Sequence, residues 1–167
     1  RFFKTAMPAT IMAFSTSSSM GALPMALDCS EKMGSRRDIS SFVIPLGTTI
    51  NMDGTAIYQG VCAIFIAQIF GQDLNLAQQI TVVATAVLSS IGTAGVPGSG
   101  MIMLSMVLQS VGLPLEGIAL VAGIDRILDM GRTAVNTTGN MACAACISFM
   151  EDRKEGKLPP SSKQTAQ

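Results

Sequence analysis

Histidine is absent from the 167-residue chain, which removes the commonest general base, triad member and metal ligand at once. Four cysteines are present, and two of them form a C-x-x-C pair at Cys143 and Cys146. No second pair and no histidine complete a zinc site, so we interpret this pair as small residues in helix packing. Without a recognisable nucleophile and base, the sequence predicts a protein that is not an enzyme.

Charge is scarce, at 13% of residues against roughly 25% in soluble domains. Lysine plus arginine equals aspartate plus glutamate at 11 each, so the basic excess typical of nucleic-acid binding is missing. Between Ile39 and Leu115 the formal charges are Asp53 and Asp73 alone. This pattern predicts an all-α membrane protein whose partner is the lipid bilayer and not a nucleic acid.

Long uninterrupted apolar runs are also lacking, because Gly, Pro, Ser, Thr, Asn and Gln break every run before 18 residues. Polar or irregular backbone at membrane depth is tolerated only where it is buried in protein or lines a cavity. The interruptions therefore predict helical hairpins and broken helices around a polar site.

The first half of the chain contains two such segments. Residues 3–33 have short apolar arms around STSSSMG at 15–21, with Pro24 at a helix-start position of the second arm, and predict a re-entrant hairpin. Residues 39–71 are apolar on both sides of NMDG at 51–54, where turn-forming residues flank a carboxylate. This segment predicts a spanning helix that is broken midway.

The second half repeats the arrangement. Residues 75–111 form apolar arms around SSIGTAGVPGSG at 89–100 and predict a second re-entrant hairpin. Residues 115–150 predict one long spanning helix with the densest set of intramembrane charges. A hairpin followed by a spanning helix thus occurs twice, as in an inverted-repeat transport core at 1–150, with a tail at 151–167.

Basic residues segregate under this layout. The connections at 71–73 and 112–117 contain no lysine or arginine. The opposite side holds all of the following: Lys4, Lys32, Arg36, Arg37, Arg153, Lys154 and Lys157. The positive-inside rule then predicts a multi-pass protein of the cell membrane with a cytoplasmic C-terminus.

Polar residues form one stripe on the last helix. Spacings of 4, 3, 4 and 4 place its members on one face: Asp125, Asp129, Arg132, Asn136 and Asn140. Charges inside a span mark a substrate or ion path, or pair with one another. Asp129 could hold a substrate ammonium and Arg132 a carboxylate; the alternative is an ionic seam that locks the helix to its neighbours.

The hairpin tips and the NMDG break complete the candidate site. Serine-rich and Gly-Pro tips expose backbone amides and carbonyls, and helix ends favour anions at N-termini and cations at C-termini. Asn51 and Asp53 supply hard oxygen ligands suited to a hard cation, although a simple kink is the alternative. The run at 95–100 lacks the Gly-Lys-Ser/Thr of a phosphate loop.

At these motifs the chain resembles the dicarboxylate/amino acid:cation symporter family, which includes the glutamate transporters. The resemblance covers nearly the whole chain through SSS at 17–19, NMDGT at 51–55, GTAGVPG at 92–98 and DRILDMGRTAVN at 125–136. It implies symport of glutamate or aspartate with Na+ and/or H+ and no other cofactor. It also implies that the chain is a C-terminal transport-core fragment, and that a missing N-terminal scaffold forms a homotrimer.

The resemblance assigns roles residue by residue. The substrate contacts would be Ser18, Ser19, Thr55, Val96, Gly100, Asp129, Arg132, Thr133 and Asn136. Three sodium sites would use Gly47, Asn51, Asn136 and Asn140, then Thr49, Ser90, Ile91 and Thr93, and finally Asn51 with Asp53. Asp129 would bind the substrate's amino group and Arg132 its side-chain carboxylate.

Two positions depart from the family pattern. Some members carry an arginine where this chain has Ser17, and Arg126 is a hypothetical substitute for that charge. Sodium-coupled members usually have an aspartate where this chain has Asn140, so one sodium site is altered. The alternatives to acidic amino acid transport are a C4-dicarboxylate or neutral amino acid symporter of the same family, or a truncated remnant that does not transport.

Overall fold

The computed structural model describes residues 2–156, and every regular element within that range is an α-helix, as the composition predicts. The helices are α1 Phe2–Thr16, α2 Ser19–Lys32, α3 Arg37–Ile50, α4 Asp53–Ile69, α5 Leu76–Ile91, α6 Ser99–Ser110, α7 Gly117–Ala122 and α8 Asp125–Lys154.

The first predicted hairpin consists of α1 and α2, which pack against each other across a two-residue turn. Ser17 adopts a left-handed φ of 51°, and the Ser18 hydroxyl accepts the Gly21 N–H at 3.0 Å. This cap starts α2 at Ser19, so the prediction that Pro24 opens the arm is wrong. Pro24 lies inside α2, in its second turn.

The predicted broken helix consists of α3 and α4, and the break is narrower than the motif suggested. It comprises only Asn51 and Met52, because Asp53 and Gly54 already belong to α4. A carboxylate in the first turn interacts favourably with the positive end of the helix dipole, which explains why α4 begins at Asp53.

The second hairpin consists of α5 and α6. A capping box begins α5, in which Asn75 accepts the Gln78 N–H while the Gln78 side chain accepts the Asn75 N–H. The helix continues through the serines that were predicted to lie in the tip, so the tip is residues 92–98. Gly98 ends the tip with a φ of +79°, a conformation that favours glycine.

The prediction of one helix over 115–150 is wrong. A short helix, α7, is followed by a break at Gly123 and Ile124, and α8 begins at Asp125. Asp125 stabilises this new start through its position in the first turn and through a hydrogen bond from Tyr58. The same helix continues past residue 150 to Lys154, so part of the predicted tail is helical; residues 157–167 lie outside the described residues.

Two apolar clusters hold the helices together. One joins α4, α5 and α6 through larger side chains such as Ile66 and Leu104. The other joins α1, α2, α3 and α8 mainly through alanines, so those helices approach closely. Met141 and Ala144 face this second cluster, whereas Cys143 and Cys146 are exposed, so our packing interpretation of the C-x-x-C pair is wrong.

Arg36 joins the α2–α3 connection to the end of α8. The Arg36 guanidinium contacts Glu155 at 2.8 Å and Asp38 at 2.8 Å, and the Arg36 backbone N–H donates to the Ser148 hydroxyl. The basic connection and the C-terminal end of α8 therefore lie at the same end of the molecule, as the charge segregation requires.

Within residues 2–156, no helix combines the length and the apolar character needed to cross a membrane.

Candidate substrate and cation site

Arg132 lies at the centre of the predicted stripe and is buried, with 4% of its side chain exposed. Its Nη1 contacts Asp125 Oδ1 at 3.1 Å, and its Nε donates to Asp129 Oδ1 at 2.9 Å. The guanidinium carbon lies 4.3 Å from the centroid of the Tyr58 ring, a cation–π contact. Nη2 is 2.9 Å from Asp129 Oδ1 but makes no hydrogen bond within the described residues, so a buried donor remains for another acceptor.

The two carboxylates beside Arg132 have different second partners. Asp125 Oδ1 also accepts the hydroxyl of Tyr58 at 2.8 Å. Asp129 Oδ2 accepts the N–H of Gly98 from the tip of the second hairpin at 2.9 Å. Asp129 thus joins Arg132 to the hairpin tip, while Asp125 joins Arg132 to α4.

Asn136 fastens the break between α3 and α4 to α8. Its Oδ1 accepts the N–H of Gly54 at 2.7 Å, and its Nδ2 donates to Thr55 Oγ1 at 3.2 Å. A β-carbon at Gly54 would lie 2.6 Å from the carbonyl oxygen of Arg132, so only glycine permits this approach. Thr133, the neighbour of Arg132, is buried as well.

The two hairpin tips meet at the site. The Ser18 hydroxyl donates to the Gly95 carbonyl at 3.1 Å, and the Met20 N–H approaches the same carbonyl at 3.3 Å. Ser19 is buried beside them, and a β-carbon at Gly100 would lie 2.9 Å from the guanidinium carbon of Arg132. The first tip therefore contacts the second, and the start of α6, directly after the second tip, reaches the polar stripe.

Val96, the remaining predicted substrate contact, is 50% exposed in the tip of the second hairpin. Its carbonyl accepts the Ser99 hydroxyl at 2.9 Å. No described hydrogen bond joins Val96 to the stripe on α8.

Oxygen atoms converge where the break meets α8. Asn51 Nδ2 donates to Asn140 Oδ1 at 2.9 Å, and Asn51 Oδ1 then lies 3.1 and 3.2 Å from the two carboxylate oxygens of Asp53. If the O and N of the Asn51 amide exchange places, Asn51 Nδ2 can donate to Asp53. The Asn140 amide must then turn as well, so that it can donate to Asn51 Oδ1. Asn140 Nδ2 has no partner within the described residues, and a β-carbon at Gly47 would lie 2.5 Å from Asn140 Oδ1. These groups are the hard ligands that a small cation prefers.

The other predicted cation ligands have hydroxyls bonded within their own segments. Thr49 donates to Leu46, Ser90 to Val87, and Thr93 to the Ser89 carbonyl. Thr49 and Ile91 are exposed, whereas Ser90 and Thr93 are buried. Residues 2–156 contain no cluster of three or more cysteine or carboxylate side chains that could hold a metal, so a cation here would need amide, hydroxyl or carbonyl oxygens in addition to the Asp53 carboxylate.

Sequence reasoning missed two buried residues of α4, Tyr58 and Gln59. The available signals were the single tyrosine of the chain and one glutamine in an apolar run. Arg126, the hypothetical substitute for a tip arginine, is exposed on the first turn of α8, and its role stays a prediction.

The sodium:dicarboxylate symporter family model matches residues 1–150 of the chain. The chain belongs to this family. The glutamate symporters among its relatives confirm the resemblance that the motifs indicated. The chain is similar to both bacterial and animal proteins.

Three relatives illustrate the range. A proton/sodium-glutamate symport protein of Bacillus subtilis (strain 168) is 44% identical over 155 residues, which is 93% of this chain and 35% of the relative. A proton/glutamate-aspartate symporter of Escherichia coli (strain K12) is 46% identical over 88% of this chain and 34% of the relative. Excitatory amino acid transporter 4 of Mus musculus is 45% identical over 87% of this chain and 26% of the relative. The symporter-family chain spans about a third of the length of the bacterial relatives.

Proposed function

We propose that the chain is the substrate- and cation-binding part of a symporter for glutamate or aspartate, driven by a Na+ and/or H+ gradient. The observation that carries this proposal is the buried Arg132, whose Nη2 has a free donor beside Asp129. A buried donor without an acceptor is costly, and a substrate carboxylate would satisfy it. The names of the bacterial relatives support the same substrate class.

Substrate recognition would use opposite charges at the two ends of the ligand. Arg132 would bind the side-chain carboxylate, and Asp129 would exchange the Gly98 N–H for the substrate ammonium. The remaining contacts that we propose are Ser18, Ser19, Thr55, Val96, Gly100, Thr133 and Asn136. In the proposed arrangement the substrate ammonium replaces the Gly98 N–H at Asp129, so binding and the tip contact at Asp129 are linked.

Cation binding would use the oxygen groups at the break and at the end of α5. Asn51 lies within hydrogen-bonding distance of both Asp53 and Asn140, with Gly47 against the Asn140 amide. Asn136 would share its oxygen with this group. A second cation site would use Thr49 with Ser90, Ile91 and Thr93, where the negative end of the α5 dipole favours positive charge.

The proposed membrane arrangement follows from the helix order. The α1–α2 and α5–α6 hairpins would be re-entrant, and the α3–α4 and α7–α8 segments would cross the bilayer. Residues 1–150 would form the transport core and residues 151–167 a cytoplasmic tail. The whole protein would assemble as a homotrimer through parts of the polypeptide beyond this core.

Uptake of labelled glutamate, aspartate, serine and succinate into vesicles that contain the protein tests the proposal. We expect glutamate and aspartate to accumulate with an imposed Na+ or pH gradient and to compete with each other. Preference for succinate would instead assign a C4-dicarboxylate symporter, and preference for serine a neutral amino acid symporter. Accumulation of none of the four would identify a protein that does not transport.

A further inference from the structure

Gln59 is a fully buried polar side chain outside the predicted site. It lies on α4, next to Tyr58, at the edge of the apolar cluster that joins α4 to the second hairpin. Ala86 of α5 and Leu104 of α6 belong to that cluster. Ser89, one turn after Ala86, and Gly100, one turn before Leu104, lie beside Gln59. An amide in this position must be hydrogen-bonded, because burial of an unpaired amide is costly.

Both arms of the hairpin supply the partners of this amide. The Ser89 hydroxyl of α5 donates to Gln59 Oε1 at 2.5 Å. Gln59 Nε2 lies 3.4 Å from the Gly100 carbonyl of α6, to which it donates. One side chain therefore connects α5 to α6 at the base of the seven-residue tip, between Ile91 and Ser99.

Each partner also touches a different part of the proposed site. The Ser89 carbonyl accepts the Thr93 hydroxyl at 2.9 Å, and Ser90 follows directly in the chain. On the other arm, Gly100 packs against the guanidinium of Arg132. The Gln59 amide thus lies between the segment with proposed cation ligands and the segment that contacts the proposed substrate ligand.

We propose that Gln59 is a positioning residue that makes cation binding at the end of α5 strengthen substrate binding at Arg132. A cation that orders residues 90–93 fixes Ser89, and the Gln59 amide then fixes the carbonyl of Gly100 beside the guanidinium. Without this bridge the two arms respond independently. This inference rests on the proposed function, because it concerns the thermodynamic coupling of the same two ligands.

Titrations of aspartate into the purified protein at low and at saturating concentration of Na+ test the inference. Na+ is the cation tested, because the hydroxyl and carbonyl oxygens at the end of α5 are ligands for a hard cation and do not carry a proton. Gln59→Met keeps the length of the side chain and removes both hydrogen bonds. We expect the cation-dependent change in aspartate Kd, typically about 5- to 150-fold in coupled systems, to fall to about twofold or less. Gln79→Met is the matched control, because the exposed Gln79 amide bonds only Leu74 near the start of α5.

Ser89→Ala removes the same bridge from the other side and preserves a folded apolar neighbourhood. We expect this variant to lower the coupling as well, and the double variant to lower it no further than Gln59→Met alone. A purely structural role would weaken aspartate binding equally at both cation concentrations and would leave the ratio unchanged. An unchanged ratio in both single variants, or a native protein whose aspartate Kd does not respond to Na+, overturns the inference, whereas failure to accumulate any of the four labelled substrates overturns the proposed function.

Discussion

Arginine–carboxylate groups occur at two places along α8, and their surroundings differ sharply. Arg132 lies between Asp125 and Asp129 with 4% of its side chain exposed. Arg36, beside the C-terminal end of α8, meets Asp38, Asp152 and Glu155 with 32% of its side chain exposed. The chemical groups are the same, but only the first set is buried away from solvent.

The difference shows which ion group can serve a ligand. At the exposed group, hydrogen bonds from Arg36 hold the pKa of Asp38 below its ordinary value, and those to Asp38 and Glu155 raise the pKa of Arg36. Water and salt screen such pairs, so they contribute little beyond local order. At the buried group, solvent does not compensate a charge or donor that lacks its partner. Arg132 Nη2, which lies 2.9 Å from Asp129 Oδ1 but makes no hydrogen bond within the described residues, is therefore informative, whereas a free donor on Arg36 would not be.

Removal of the buried arginine should have the largest effect. Arg132→Ala should reduce glutamate and aspartate uptake more than about a hundredfold, because loss of one partner of a buried pair costs about 3–5 kcal/mol. Neutral substrates could then be favoured. Labelled uptake into vesicles, at matched protein content, measures the effect. Arg36→Ala is the matched control and should retain most of the uptake, so equal losses in the two variants would erase the contrast between the two groups.

Asp129 should distinguish amino acids from plain dicarboxylates. A carboxylate that faces the substrate favours an ammonium and repels a second acid, so Asp129→Asn should weaken aspartate binding at least about tenfold more than succinate binding. Competition of each compound against labelled aspartate gives the two affinities. Asp125→Asn, on the α4 side of Arg132, is the comparison. If Asp129→Asn weakened both compounds alike, the carboxylate would be structural.

Asn140 should set the dependence on sodium. The amide offers an oxygen without formal charge, and a unit pair about 4 Å apart contributes roughly 4 kcal/mol at an effective dielectric of 20. We expect uptake to depend weakly on Na+ and to respond to a pH gradient, with Asp53, Asp125 and Asp129 as candidate proton carriers. Asn140→Asp should lower the Na+ concentration for half-maximal uptake by about tenfold or more. Strict sodium dependence of the native protein, without any gain in the variant, would count against this role.

The smallest effect is expected at the exposed group. Arg36→Gln should leave uptake nearly unchanged and alter only the acid end of the stability profile. Because the folded pKa of Asp38 is lowered, its contribution to stability is present above the unfolded pKa and is lost as the pH falls through the folded pKa. Thermal unfolding between about pH 2 and 7 should show this acid-dependent part in the native protein and less of it in the variant. A large loss of uptake with Arg36→Gln would move functional importance to the exposed group.

Helical periodicity and interrupted apolar runs predicted much of the fold. The spacing of Asp125, Asp129, Arg132, Asn136 and Asn140 placed them on one face, and all five are buried. The interruptions predicted two hairpins and a broken helix. The helix boundaries were harder to predict, because the cap at Ser18 and the start of α8 at Asp125 depend on hydrogen bonds that a sequence pattern does not specify.

The missed parts of the site depend on contacts between distant segments. Tyr58 and Gln59 look like ordinary residues of an apolar helix, and only the fold brings Asp125, Ser89 and Gly100 to them. Glycine at position 54 is similarly explained by the backbone of α8, which is far away in sequence. Residue type and spacing can indicate a polar stripe, but they do not indicate which neighbouring residues form hydrogen bonds with it.

A structure of the protein with bound aspartate and its driving cation tests the central claim most directly. We predict that the side-chain carboxylate of aspartate contacts Nη2 of Arg132 and that its ammonium lies within hydrogen-bonding distance of Asp129. The N–H of Gly98 should then be released from Asp129, since the ammonium takes its place. Aspartate bound away from Arg132, with the Gly98 N–H still on Asp129 as it is here, would contradict the account.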